Sequence, residues 1–372
     1  MKIAIYQPYL KERGGMEKVV LEYAKNSEHK IEILTMNYDR EGTFDEFEEA
    51  EVREIGNYGS PGSFLEQAIN FGIRPLFRKV GLEDYDVLVV SEAGFGSPIT
   101  VRNDELPIIA YVHTPLRAAL PKFRQRYRQE FALPLRPFFP MFILGYNILE
   151  RLGWSNFEKV IANSELTKNR MDSKGLRRKE EVEVINPGVE VEGKSSSNYE
   201  KYFFYPSRFE PYKRQEMAIE AFKQAELEDF ELVLAGASAD ENYVEELRVM
   251  AGENVRIEVD VPGDKWEELY SDSYSVLFCA EKEDWGIIPL EAGSFGKPVV
   301  AVDEGSTSET VEDNETGFLV EANASEIAEK MERLAKNPEQ VREIGEKGRE
   351  HSQEYSWEKF AARLDEEIED MK

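Results

Sequence analysis

Cysteine occurs once, at Cys279, so no intramolecular disulfide can form and the chain fits a reducing compartment. Histidine is almost as scarce. His29, His113 and His351 lie far apart in sequence, and with one thiol they offer no zinc cluster. Positive charge is in deficit: 46 Lys and Arg stand against 74 Asp and Glu, a net charge of −28. That excludes nonspecific nucleic-acid binding, which needs a positive field. Such acidity also keeps a protein soluble in a salty cytoplasm. Long hydrophobic runs are missing as well. The N-terminal MKIAIYQPYLKERGG has too short an apolar run for a signal peptide and reads as a strand and a loop. The richest apolar region, Phe131–Trp154, is broken by three prolines and Arg136 and is a poor membrane span. A cytoplasmic location is expected.

What is present is a folded chain. At 372 residues and 41% hydrophobic, it exceeds what one core holds, so two domains are expected. Short apolar, β-branched runs alternate with amphipathic segments. Strands are predicted at Ile3–Tyr6, Ile31–Thr35, Val87–Val90, Ile108–His113 and Val160–Ala162. They resume at Tyr202–Pro206, Leu232–Ala235, Val255–Val259, Val276–Cys279 and Val299–Val302. Near-continuous apolar runs are the mark of parallel strands buried on both faces. Met16–Lys25 and Gln215–Ala225 read as crossover helices, which makes the class α/β with Rossmann-like sheets. Asn186–Lys201 carries Pro, Gly and a serine run and is the expected linker. The expected domains are 1–186, 187–355 and a final helix, 356–372, whose Trp357, Phe360, Ala361 and Leu364 follow helical spacing.

In open α/β sheets ligands sit outside the carboxyl ends of the strands, and three features fall there. Gly14-Gly15 follows the first strand and precedes a helix. Two glycines let backbone N–H groups approach an anion; the bland reading is a flexible turn. Arg208 and Lys213 lie between a strand end and a helix start, in YPSRFEPYKRQEM. They suit a diphosphate, with a planar fork and a point charge; the bland reading is two solvated cations. Glu283 and Glu291 are separated by seven residues, with Gly286 between them where a loop becomes a helix. A carboxylate flanked by Leu290 and Ala292 is poor core material unless something pairs with it, and sugar or ribose hydroxyls are suitable partners. Otherwise it is an acid placed against the helix dipole.

These residues carry a resemblance. EDWGIIPLEAGSFGKPVVA (283–301), SRFEPYKRQEMAIEAF (207–222), YVHTPLR, IANSELTKNRM and VINPGV occur in the order found in the retaining glycosyltransferases of family 4, and the chain resembles that family over nearly its whole length. HTPLR and PYKR are most similar to the WbaZ-like mannosyltransferase branch. The resemblance implies a GT-B fold, two Rossmann-like domains facing across a cleft, and a glycosyltransferase using a nucleotide sugar, GDP-mannose in that branch. It implies no cofactor and no metal, and no Asp-x-Asp motif of the metal-dependent kind is read here.

It also implies roles. Arg208 and Lys213, with Ser207, bind the donor diphosphate and stabilise it as it leaves. Glu291 holds the ribose, and Glu283 contacts donor-sugar hydroxyls. Trp285 stands where the family has Phe, and the backbone at Gly286, Ile287 and Ile288 supports sugar and phosphate. Gly14 and Gly15 approach the diphosphate. His113 lies near the reacting carbon, although a strand-end histidine is more often structural. GSTSE (305–309) departs from the family's Gly-Gly pair, which puts the backbone near Ser306 in doubt.

Residues 113–139 are the basic exception: Arg117, Lys122, Arg124, Arg126, Arg128 and Arg136 face one acid, Glu130. This suits an anionic membrane surface or a phosphorylated acceptor, with Arg117 as an acceptor contact and residues 117–139 as a peripheral membrane surface. Lipid-linked glycan acceptors are common in the family. A UDP-sugar-dependent transferase, a disaccharide or disaccharide-phosphate synthase, and a nucleotide-sugar-binding protein without activity are the alternatives.

Overall fold

The structure is a computed structural model that describes residues 1–56, 63–121, 123–194, 198–238 and 241–371. Lys122 and the serine run of the expected linker, 195–197, lie outside the described residues. The chain divides into two compact units: Met1–Asn186 with Trp357–Lys372, and Pro187–Ser356.

The first unit holds a seven-stranded parallel sheet. Its strands are β1 (Lys2–Tyr6), β2 (Lys30–Thr35), β3 (Val52–Glu54), β4 (Val87–Glu92), β5 (Ile108–Val112), β6 (Lys159–Ala162) and β7 (Val182–Val184), in spatial order β3-β2-β1-β4-β5-β6-β7. The second holds six: β8 (Tyr202–Pro206), β9 (Glu231–Gly236), β10 (Val255–Val259), β11 (Ser275–Phe278), β12 (Val299–Val302) and β13 (Gly317–Val320), in order β10-β9-β8-β11-β12-β13. Both orders reverse direction beside their first strand. The doubly wound topology therefore opens a crevice between β1 and β4 in one unit and between β8 and β11 in the other.

Burial explains which strands were legible. The central strands β1, β4, β5, β8 and β9 are covered on both faces by helices, and their runs are almost wholly apolar. Three strands escape the sequence pattern. β3 (Val-Arg-Glu) and β7 (Val-Glu-Val) are three-residue edge strands that carry charged residues, and β13 is a four-residue edge strand entered through Thr316-Gly317. β10 has the expected bounds but is only half-buried, as an edge strand can be. Two strand ends move back by a residue: His113 and Cys279 lie just beyond β5 and β11.

Part of the expected linker is docked. Val189 is buried against Trp285 and Leu290 and bridges to Ser356, with its N–H donating to Tyr355 O at 2.6 Å. Lys194 pairs with Glu267 at 2.6 Å. Valines 189 and 191 give this part of the segment the apolar surface that docks it on the second unit. The final helix, Trp357–Glu369, packs on helix Gly15–Asn26 of the first unit. Tyr23 donates to Asp365 at 2.6 Å, Ser27 donates to the same carboxylate at 2.8 Å, and the Glu28 N–H at 3.0 Å. Phe360 meets Tyr111 edge-on at 5.5 Å.

Candidate active site

In the second unit the switch-point loops, after β8 and after β11, are stitched together. The Glu281 N–H donates to Tyr212 O at 2.8 Å, and one step further Lys213 Nζ meets Glu283 Oε2 at 2.7 Å. Burial by itself would push the Lys213 ammonium down, but the Glu283 carboxylate and then Tyr212 together outweigh it and the net shift is upward. Lys213 is therefore held charged, with its carbonyl accepting from the buried Tyr205 hydroxyl. An ammonium has three donors, so one carboxylate does not exhaust it.

Each cation of this loop has an acid from the same unit. Arg208 faces Glu210 at 3.5 Å, and Arg214 reaches Glu304 at 3.3 Å. Arg214 adopts a left-handed conformation, φ 57°, where the chain turns from the short 3-10 turn Pro211–Lys213 into helix Gln215–Gln224. The Ser207–Arg208 backbone is fixed by β9. The Ser207 N–H donates to Ala235 O at 2.9 Å, and a Cβ on Gly236 would stand 1.9 Å from Ser207 O. Only glycine allows that approach, which identifies Gly236 as a site-forming residue that the motif reading missed.

Glu283 is clamped from the other side by GSTSE. The Ser306 N–H and hydroxyl both donate to Glu283 O, at 3.1 and 3.2 Å. Gly305 has φ 76°, and a Cβ there would meet Glu283 O at 2.4 Å and Glu283 N at 2.6 Å. Where the sequence showed a departure from the family pattern, the structure shows a loop that holds the backbone of the first carboxylate.

Gly286, φ 50°, caps helix Ile287–Ser294, whose first-turn N–H groups, those of Ile287 and Ile288 among them, have no acceptor within the helix. Glu291 follows one turn later. The Tyr270 hydroxyl donates to its Oε2 at 2.7 Å, and burial followed by the Glu291 charge raises the Tyr270 phenol well above its ordinary range. Tyr270 is itself stacked on Phe295 at 5.4 Å. The second carboxylate is thus aimed by a neutral phenol, a partner no local pattern revealed. The Trp285 ring is buried beside Val189, Leu290 and Tyr355, so this residue shapes the loop from beneath.

In the first unit the corresponding loops carry Gly14, Gly15, His113 and Arg117. Gly14 is the N-cap of helix Gly15–Asn26 in extended conformation, φ −104°, so its backbone does not require glycine. A Cβ on Gly15 would meet nothing within 4 Å. Space inside the protein is not what selects Gly15. His113 follows β5, with Nε2 2.9 Å from Ser91 Oγ and its N–H donating to Glu92 O at 2.8 Å. Burial pushes its imidazole down to about 3, so the ring is neutral at physiological pH. Glu92, buried at the end of β4, accepts from the Gly94 and Ser97 N–H groups, and burial and then the Glu150 charge raise it to about 7. Arg117 is half-buried, its guanidinium 5.8 Å from the Phe123 ring.

Two family models match the chain in succession. Glycosyltransferase Family 4 covers residues 13–192 and Glycosyl transferases group 1 covers residues 190–351. The chain belongs to the family 4 glycosyltransferases. It is 26% identical to the alpha-1,3/1,6-mannosyltransferase ALG2 of Candida glabrata, over 93% of this chain and 88% of that protein. It is 28% identical to an uncharacterized glycosyltransferase of Methanocaldococcus jannaschii over 55% of this chain and 57% of the other. In fold it is similar to Anabaena HepE, solved with UDP, with a TM-score of 0.76, 18% identity and full coverage of both chains. The fold expected from the sequence, two parallel-sheet Rossmann-like units of the GT-B kind, is the fold this glycosyltransferase has.

One literal Asp-x-Asp does occur in this glycosyltransferase, at Asp84-Tyr85-Asp86. It lies at the amino end of β4, where Asp86 accepts from the Lys2 N–H at 2.8 Å, away from the carboxyl ends that carry the loops above. Among the described residues no cluster of His, Cys, Asp or Glu has the arrangement of a metal site. Among them, too, no helix is long and apolar enough to cross a membrane.

Proposed function

We propose that this glycosyltransferase moves a mannosyl residue from GDP-mannose to a glycan or lipid-linked glycan, with retention and without a divalent metal. The observation that carries the reading is the Lys213–Glu283 pair at 2.7 Å. It joins a cation suited to phosphate and a carboxylate suited to sugar hydroxyls, as adjacent parts of one donor demand. Mannose as the sugar is supported by ALG2, a relative named as a mannosyltransferase.

The transition state is oxocarbenium-like, and negative charge grows on the departing diphosphate. Arg208 and Lys213 meet that charge, with Ser207 beside them, and the N–H groups of Ile287 and Ile288 at the helix start after Gly286 add to it. Glu291, oriented by Tyr270, takes the ribose hydroxyls, and Glu283 the sugar hydroxyls. The pairing of each cation with a local acid keeps these side chains ordered before the donor arrives, which lowers the cost of positioning them. His113 acts as a neutral hydrogen-bonding group near the reacting carbon, and Gly14 and Gly15 let the first unit's loop approach the phosphates. The acceptor hydroxyl loses its proton to the leaving phosphate on the same face. Arg117 contacts the acceptor, and residues 117–139 meet an anionic membrane surface.

Thermal melting with GDP, UDP, ADP, GDP-mannose, UDP-glucose and UDP-N-acetylglucosamine, each with and without magnesium, tests the donor, because binding to the folded state raises the melting temperature. A magnesium-independent shift with the GDP compounds is expected. A shift with UDP compounds alone, the nucleotide bound by HepE, overturns the mannosyl assignment and leaves a UDP-sugar transferase.

A further inference from the structure

Seven of the twelve exposed large hydrophobic side chains among the described residues fall within one stretch of twenty: Leu133, Leu135, Phe138, Met141, Leu144, Ile148 and Leu152. From Phe138 onward they are spaced three and four apart, along one face of helix Phe139–Trp154. The opposite face, with Phe139, Ile143, Tyr146 and Gly153, is buried in the unit's core. Met141, Leu144, Ile148 and Leu152 are each more than half exposed, at 66, 63, 56 and 53%. Together the seven leave on the order of 600 Å² of apolar surface in water, at the upper end of the largest patch a monomeric soluble protein exposes and of the size that is often functional.

Charge follows the same boundary. Residues 117–154 carry seven Lys and Arg against two Glu, whereas the chain as a whole is at −28. Arg124, Arg126 and Arg128 are exposed on the short helix Arg124–Glu130. That helix is tied to the apolar face. Arg136 donates to Gln129 O at 2.7 Å and Phe131 O at 3.0 Å, and the Phe131 ring packs edge-on against Phe139 and Phe142 at 5.1 and 5.5 Å.

We propose that helix Phe139–Trp154 lies flat in the headgroup region of an anionic membrane, with Phe138, Met141, Leu144, Ile148 and Leu152 inserted and Arg124, Arg126 and Arg128 against lipid phosphates. A helix of 16 residues is about 24 Å long, shorter than a bilayer core, and its inner face is held in the unit's core, so it lies in the plane. A second copy of this chain is a poor occupant, because a symmetric contact would bring two basic segments together. The docking depends on the proposed function only for why a membrane is visited; a lipid-linked acceptor supplies the reason.

The test uses the full chain and phosphatidylcholine vesicles with and without roughly one-third phosphatidylglycerol, in a flotation assay without donor or acceptor. Binding to the anionic vesicles is expected, weakened by salt and reduced about tenfold or more in the Leu144→Asp/Ile148→Asp variant. Both side chains are exposed, so the variant keeps the wild-type melting temperature. In a second readout, Ile148→Cys carries an environment-sensitive dye, the native Cys279 being buried. Its emission shifts blue on anionic vesicles. Absence of wild-type binding, or equal binding by the double variant, overturns the docking. So does a concentration-dependent dimer that the double variant abolishes. Donor specificity is read separately by nucleotide melting, so either reading can fail alone.

Discussion

His113→Gln separates a neutral histidine from a charged one. In the folded protein the imidazole titrates at about 3, against 6.5 in the unfolded chain. Below pH 6.5 the unfolded chain takes up a proton that the native state refuses, so stability falls as pH drops from 6.5 toward 3. Each pH unit in that window is worth about 1.4 kcal/mol, and integration between pH 7.5 and pH 5.0 gives a loss of about 2 kcal/mol attributable to this residue. Gln cannot titrate and can still reach Ser91. Its own packing cost is the same at both pH values and cancels in the comparison. Glu92, raised to about 7, contributes the opposite slope, since its stability penalty is relieved as pH falls from 7 toward 4.5, but it does so in both proteins. Calorimetry at the two pH values should therefore show the wild-type first-unit transition falling by about 4–8 °C more than that of the variant. Parallel behaviour of the two proteins would mean that His113 is protonated in the native state, and a neutral role near the donor sugar would be lost with it.

The remaining predictions concern the second unit and, last, Gly15 of the first. Lys213→Ala should lower kcat by about a hundredfold to a thousandfold, as for loss of one preorganised donor to a developing charge, and should cost about 1–3 kcal/mol by leaving Glu283 without this partner. Lys213→Met with Glu283→Gln should regain melting temperature without regaining activity, and recovery of both would remove the pair from the chemistry. Tyr270→Phe should weaken nucleotide binding about tenfold by freeing Glu291, read by titration calorimetry; an unchanged affinity would show that the phenol does not orient the ribose carboxylate. Gly305→Ala should destabilise the unit by at least about 1 kcal/mol, through positive φ and collision with the Glu283 backbone, and abolish transfer. Gly15→Ala, which meets nothing within the chain, should leave melting unchanged, and any fall in nucleotide affinity would then report on the donor itself.

The sequence by itself determined the α/β class, ten of the strands and the motif order that marks the family. The reason is that parallel strands covered on both faces must be apolar throughout, and that loops at strand ends carry their residues in contiguous runs. β3, β7 and β13 were not legible, because short edge strands impose little pattern. Arg208, Lys213, Glu283 and Glu291 could be named as candidates from spacing and residue type. What holds them could not. Gly236 beneath Ser207, the Gly305–Ser306 clamp on Glu283, Tyr270 beside Glu291 and Ser91 beside His113 are all contacts between segments distant in sequence. Their meaning exists only once the sheets bring the loops together. The acidity of the whole chain was plain from composition, and so was the basic stretch within it. That the apolar side chains following this stretch form the outer face of one helix was decided only by the tertiary structure, because the same helix had to turn its other face to the core.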